Sequence, residues 1–159
     1  MNFFGIEGEP IDYSHSGVVF VPVPFDGTST WGKGADKAPQ AILEASEKVE
    51  LYDIETRSSV YEKGFFTVPP VCTGDEKSED VADLVQEAIT KIVDDKKFPV
   101  MIGGEHSVSI GAFRAMASRY EDFSILQFDA HSDMRDEYYD SKYNHGCVMA
   151  RGKEVCNHI

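Results

Sequence analysis

Apolar and polar positions alternate between two patterns along the chain. Short unbroken apolar runs, 18–24 (VVFVPVP), 99–102 (PVMI) and 123–128 (FSILQF), read as buried strands. Between them lie segments with helical spacing. The clearest is the set Val81, Leu84, Val85, Ala88, Ile89, Ile92 and Val93, at i, i+3, i+4, i+7, i+8, i+11 and i+12. Ser78 or Asp80 is placed to cap that helix, and Lys96 and Lys97 suit the negative end of its dipole. An earlier helix begins near Ala38 and Pro39, with Ile42, Ala45, Ser46 and Val49 on its expected apolar face. A third is expected near 107–119 with Ile110, Phe113, Arg114 and Ala117, and a last one from about Asn144. Residues 65–68, before Pro69 and Pro70, form a candidate short strand that Tyr61 adjoins. Strands alternating with helices predict parallel pairing and a layered α/β fold.

The 159 residues suffice for one domain with a core, and no repeat or linker interrupts them. A net charge of −13 argues against nucleic acid or an anionic membrane as partner and is compatible with a cationic substrate. No apolar run approaches the length of a membrane span. The first nine residues lack a basic n-region, so no signal peptide is read and a cytoplasmic protein is expected. Cys72, Cys147 and Cys156, an odd number without a CxxC pair, are expected to be reduced thiols.

The candidate chemistry sits where two of the strands end. Residues 128–133 read FDAHSD and place Asp129, His131 and Asp133 at alternate positions; residues 103–107 read GGEHS and add His106. Open parallel sheets put their chemistry at the carboxyl ends of their strands. On an ideal strand Asp129 and Asp133 would stand about 13 Å apart, too far to share one ion. The chain must therefore curl after Phe128, or the ligands must serve two ions about 3.5–4 Å apart with Asp129 bridging. Carboxylate and imidazole without thiolate suit Mn²⁺, with Zn²⁺, Fe²⁺ and Co²⁺ as competitors. A solvated acidic turn is the bland alternative for 129–133. A phosphate cradle at Gly103 and Gly104 is disfavoured by Glu105 and by the lack of a P-loop Lys-Ser/Thr. His15 and His158 read as ordinary polar histidines. His145 opens a helix after the ligand loop, where it could overhang the metals and shuttle protons.

These motifs together resemble the ureohydrolase family of arginases, agmatinases, guanidinobutyrases and formimidoylglutamases. The segments at 27–34 (GTSTWGKG) and 38–46 (APQAILEAS), then GGEHS, then FDAHSD, occur in the family's order and spacing. The resemblance implies a three-layer α/β/α fold with a mostly parallel sheet and a binuclear Mn²⁺ centre. His106 and Asp133 would bind one ion, His131 the other, and Asp129 both. A hydroxide held between the metals would attack a guanidinium carbon and release urea and an amine, with His145 carrying the proton. Residues 133–139 (DMRDEYY) and 142–146 (KYNHG) are similar to agmatinases, which implies agmatine as substrate, putrescine as product and a homo-oligomer for a complete protein. Acidic residues Asp136 and Glu137 would repel a substrate carboxylate, whereas Arg135 would attract one.

The resemblance covers the family's N-terminal half. Residues 1–159 are thus expected to be the first portion of a single domain, with four of six ligands and an incomplete sheet. The missing part would bring a further Asp-x-Asp and a substrate-binding glutamate. The isolated chain is therefore expected to be weakly active or inactive. The competing classes are a non-catalytic metal-binding relic or interaction module, and a different binuclear metallohydrolase such as a deacetylase.

Overall fold

A computed structural model of the protein describes residues 1–5 and 12–159, so part of the N-terminal stretch read above, residues 6–9, lies outside the described residues. Three parallel strands form a sheet in the order β2-β1-β3: β1 (Val18–Val23), β2 (Phe65–Thr67) and β3 (Phe98–Gly103). Helix α1 (Ala38–Ser46) follows β1, α2 (Ser78–Asp94) links β2 to β3, α3 (Ser109–Ala117) follows β3, and α4 (Val148–Val155) lies near the end.

The alternation of side chains along β1 produces the layers. Val19, Val21 and Val23 point to one face and pack on Val81, Val85, Ile89 and Ile92 of α2. Phe20 points to the other and meets Leu43 of α1, Phe65, Ile102, Phe3 and Phe4. Phe3 stacks on Phe20 at 4.1 Å between ring centroids. Helices thus cover both faces of a parallel sheet, as a run buried on both sides requires. A third cluster, Ala82, Ile110, Val148 and Met149, ties α4 to α2 and α3.

Several expectations change. The buried residues of α1 are Pro39, Leu43 and Ser46; Ile42, Ala45 and Val49 are exposed, and the helix ends before Val49. Ser46, the one member of the expected face that is buried, has its hydroxyl accepting from the Phe4 amide and donating to the Leu43 carbonyl, and with it the inward face runs through Pro39 and Leu43. Helix α2 has Lys77 at its N-cap with no side-chain cap, so Ser78 and Asp80 do not serve there. The Lys97 ammonium donates to the Ser14 and Ser16 carbonyls. Residues 123–128 make only one isolated parallel bridge, Ser124 to His158, instead of a strand. The segment stays extended, with Phe123, Ile125 and Gln127 partly covered and Leu126 and Phe128 exposed, Phe128 to 91%. A strand needs a neighbour on its backbone, and among the described residues no ladder flanks this one. All three cysteines are free and buried. No helix among the described residues is long and apolar enough to cross a membrane.

Candidate metal centre

Parallel pairing of β1 and β3 brings their carboxyl ends together, Val23 opposite Gly103. The loops that follow are stitched at once: Gly104 N–H donates to the Val23 carbonyl and Glu105 N–H to the Phe25 carbonyl, both at 2.9 Å. This approach needs glycine at 104, because a Cβ there would lie 2.0 Å from the Phe25 carbonyl oxygen. Glu105 is buried and spent on structure. Its carboxylate accepts from the Ser107 amide and hydroxyl and caps the short turn His106–Val108. His106 is left at the rim.

The second ligand loop curls directly after Phe128. Asp129 Oδ1 accepts from the His131 backbone amide at 2.8 Å, a side-chain turn that breaks the extended run. Asp133 has a left-handed backbone, φ 47°, and its carbonyl accepts from the Met149 and Ala150 amides in the first turn of α4. Donors that a helix start leaves unpaired thereby hold the strained residue in place.

The result is a cluster of His106, Asp129 and Asp133, with one ligand atom from each within 4.8 Å of the others. His106 Nδ1 lies 2.7 Å from Asp133 Oδ2 and 3.4 Å from Asp129 Oδ2. His131 is outside this group, its side chain 82% exposed, with Nδ1 3.7 Å from Asp129 Oδ1. Three of the four expected ligands therefore converge and the fourth flanks them, on the other oxygen of the same carboxylate. The His131 amide chiefly holds the Asp129 carboxyl below its ordinary range, with the side-chain hydrogen bond to Gln127 and the two imidazoles adding to it against partial burial. An ionised carboxylate between two imidazoles is a nitrogen and oxygen donor set that fits a divalent cation such as Mn²⁺.

Beside the cluster is a cleft of about 520 Å³ lined by Thr30, His131, Ser132, Asp133, Met134, Arg135, Tyr138, His145 and Gly146. His145 thus lies on the cleft that Asp133 and His131 share. Asp136 and Glu137 are not in the lining, contrary to the role read for them above. The Asp136 carboxylate is turned to Arg151 Nη2 at 2.8 Å and Lys142 Nζ at 3.7 Å. Arg135 does line the cleft, its guanidinium 4.3 Å from the Tyr138 ring centroid. Arg135 is singled out above as facing the substrate; residues the motifs gave no role are Tyr138 as a wall, and Thr28, whose hydroxyl meets His145. Only the 27–34 loop hinted at Thr28.

Arg151 anchors the loop from below. Its side chain is 6% exposed and donates to the Asp136 carbonyl and carboxylate. Arg151→Met is expected to destabilise the chain by about 1.5–3 kcal/mol, the usual worth of charge-assisted hydrogen bonds, as read by urea unfolding. Arg151, then Lys142, depresses the Asp136 carboxyl in the folded state. That contribution is present above the unfolded carboxylate range, near pH 4, and is lost as pH falls through the lower folded value. The gap between wild type and Arg151→Met should therefore narrow in acid; a constant gap would show that Asp136 is not the partner that matters.

Residues 16–158 match the model of the arginase family. The chain is 39% identical over 157 residues to an N(1)-aminopropylagmatine ureohydrolase of Synechocystis, covering 94% of this chain and 51% of the relative. It is 31% identical to an agmatinase of Bacillus cereus, covering 92% and 50%. In structure it resembles the agmatine ureohydrolase of Thermoplasma volcanium, with a TM-score of 0.85 and 32% identity over 96% of this chain and 50% of that one. The chain spans about half the length of the curated relatives it matches. With the GGEHS and FDAHSD loops meeting at one sheet edge, the chain belongs to the arginase family and corresponds to the N-terminal half of its members.

Proposed function

We propose that residues 1–159 form the first portion of a single Mn²⁺-dependent amidinohydrolase domain acting on a guanidino compound, agmatine in the first instance. The carrying observation is the Asp129 carboxylate, whose Oδ2 faces His106 and whose Oδ1 faces His131. One carboxylate addressed by two imidazoles through different oxygens is suited to bridging. His106 and Asp133 would complete one position and His131 the other. When bound, a metal pair lowers the pKa of a water so that it attacks at neutral pH.

The chain's own residues supply the rest. Asp129 and Asp133 put negative charge beside a cationic guanidinium. His145 lines the same cleft and is the candidate to exchange a proton with the departing amine. The three free thiols suit a reducing compartment such as the cytoplasm. The names of the relatives, agmatinase and aminopropylagmatine ureohydrolase, favour a substrate with a cationic tail. Arg135 in the cleft favours a second reading, a guanidino acid such as guanidinobutyrate, whose carboxylate it would pair.

Purified 1–159 with Mn²⁺, tested on agmatine, arginine, guanidinobutyrate and formimidoylglutamate, decides among these. The expected result is no more than one Mn²⁺ per chain and negligible urea, because the second position has only His131 and the shared Asp129. Two dications a few ångströms apart also repel strongly without further carboxylates. A complementary C-terminal segment carrying the family's Asp-x-Asp should restore two ions and turnover. Two tightly held Mn²⁺ ions and brisk turnover by 1–159 alone would overturn the half-site reading. Turnover of guanidinobutyrate but not agmatine after complementation would select the second substrate.

A further inference from the structure

Thr28 and His145 are 117 residues apart in sequence, yet one hydroxyl oxygen serves both polar edges of the histidine. The His145 backbone N–H donates to Thr28 Oγ1 at 2.9 Å, and the same oxygen lies 3.2 Å from the ring Nδ1. We propose that Thr28 is a positioning residue that fixes the His145 ring in its Nε2–H tautomer and leaves Nε2 as the nitrogen facing the cleft. The significance of this for proton exchange rests on the function proposed above; the tautomer itself does not.

A hydroxyl has one proton and two lone pairs. The backbone amide of His145 takes one lone pair. Among the described residues, the partner left for the hydroxyl proton is Nδ1. With that proton donated, Nδ1 is an acceptor and carries no hydrogen, so the neutral ring holds its hydrogen on Nε2. Were the ring protonated, the hydroxyl could turn and accept from Nδ1–H through its second lone pair. The same contact therefore keeps the ring oriented in both charge states; a carboxylate or a carbonyl in this place, which can only accept, would do so with the neutral ring's hydrogen on Nδ1 instead.

Both sides of the contact are held. Phe25 is buried, and Gly27 folds over its ring so closely that a Cβ would come within 2.2 Å of Cζ. The buried Asp26 side chain accepts from the Gly34 and Ala35 amides, and Lys33 donates to the Asp26 carbonyl. Thr28 thus projects from a loop closed on itself. On the other side Asn144 caps the turn His145–Cys147, and the Tyr138 ring meets the imidazole edge-on at 5.7 Å.

The test is a long-range ¹H–¹⁵N correlation spectrum of ¹⁵N-histidine-labelled 1–159, with His145 assigned by its loss in His145→Gln. At a pH where the ring is neutral, wild type and Thr28→Ser should show Nδ1 unprotonated and Nε2 protonated. Thr28→Val keeps the shape but has no hydroxyl, and its His145 resonances should move to the averaged pattern of a free imidazole. A protonated Nδ1 in the wild type would overturn the proposal. So would a Thr28→Val spectrum with an unchanged His145 pattern. Should Thr28→Val fail to fold, the wild-type and Thr28→Ser spectra still decide. The readout involves neither metal nor turnover, so its failure is distinguishable from failure of the hydrolase reading.

Discussion

Asp129→Ala in the 1–159 chain is expected to weaken Mn²⁺ binding by more than about 100-fold, beyond the 10–100-fold typical of residues that only support a ligand. The side chain removed is the one that both imidazoles address, through different oxygens. Its loss would leave His106 and Asp133, still 2.7 Å apart, as an isolated pair with no third donor. Metal titration by calorimetry or by Mn²⁺ electron paramagnetic resonance measures this directly. His131→Ala serves as the internal comparison. Its side chain is exposed and stands outside the three-residue cluster, so it should cost the isolated chain far less. Equal losses in the two variants would mean that His131 already belongs to the first position, and the assignment of one imidazole to each ion would fall. Unchanged binding in Asp129→Ala would remove the candidate centre altogether.

Gly104→Ala is expected to be among the most damaging single substitutions, destabilising the chain by roughly 3–5 kcal/mol or preventing folding. The added Cβ would sit 2.0 Å from the Phe25 carbonyl oxygen and 2.8 Å from its carbon. Backbone cannot swing aside as a side chain can. Relief would have to separate the loop after β1 from the loop after β3 and break the Gly104–Val23 and Glu105–Phe25 hydrogen bonds. Denaturant unfolding measures the loss, and the His106 ring resonances report whether the ligand loop has moved. A stability within about 1 kcal/mol of wild type would show that the two loops separate easily, and that their close approach does not position the site.

What was legible in the sequence was legible because it is local. Helical spacing from Val81 to Val93 identified α2, whose residues Val81, Val85, Ile89 and Ile92 are buried. Apolar runs identified β1 and β3, and their alternation with helices identified parallel pairing. The motifs predicted that the two ligand loops would meet, and His106, Asp129 and Asp133 do converge, although the run before the second loop is not a strand of the sheet. Elsewhere periodicity was insufficient. The inward face of α1 runs through Pro39, Leu43 and Ser46, so of the positions expected on it only Ser46 is buried. The run 123–128 has strand composition, but composition supplies no neighbour. Asp136 looked like a wall of the cleft from its place in the chain, and Arg151, fifteen residues later, draws it away.

The sequence by itself determined the kinds of element, their order and the ligand chemistry, because side-chain period, backbone preference and donor type are properties of a few adjacent residues. Only the tertiary structure decided which oxygen of Asp129 faces which histidine, that His131 stands apart, and that Thr28 holds His145. Those outcomes depend on a curl after Phe128, a left-handed Asp133 tied to the start of α4, and the close approach of two loops at Gly104. The curl is a local turn, but the other two are contacts between segments distant in the chain, where position differences of an ångström or two separate a ligand from a bystander.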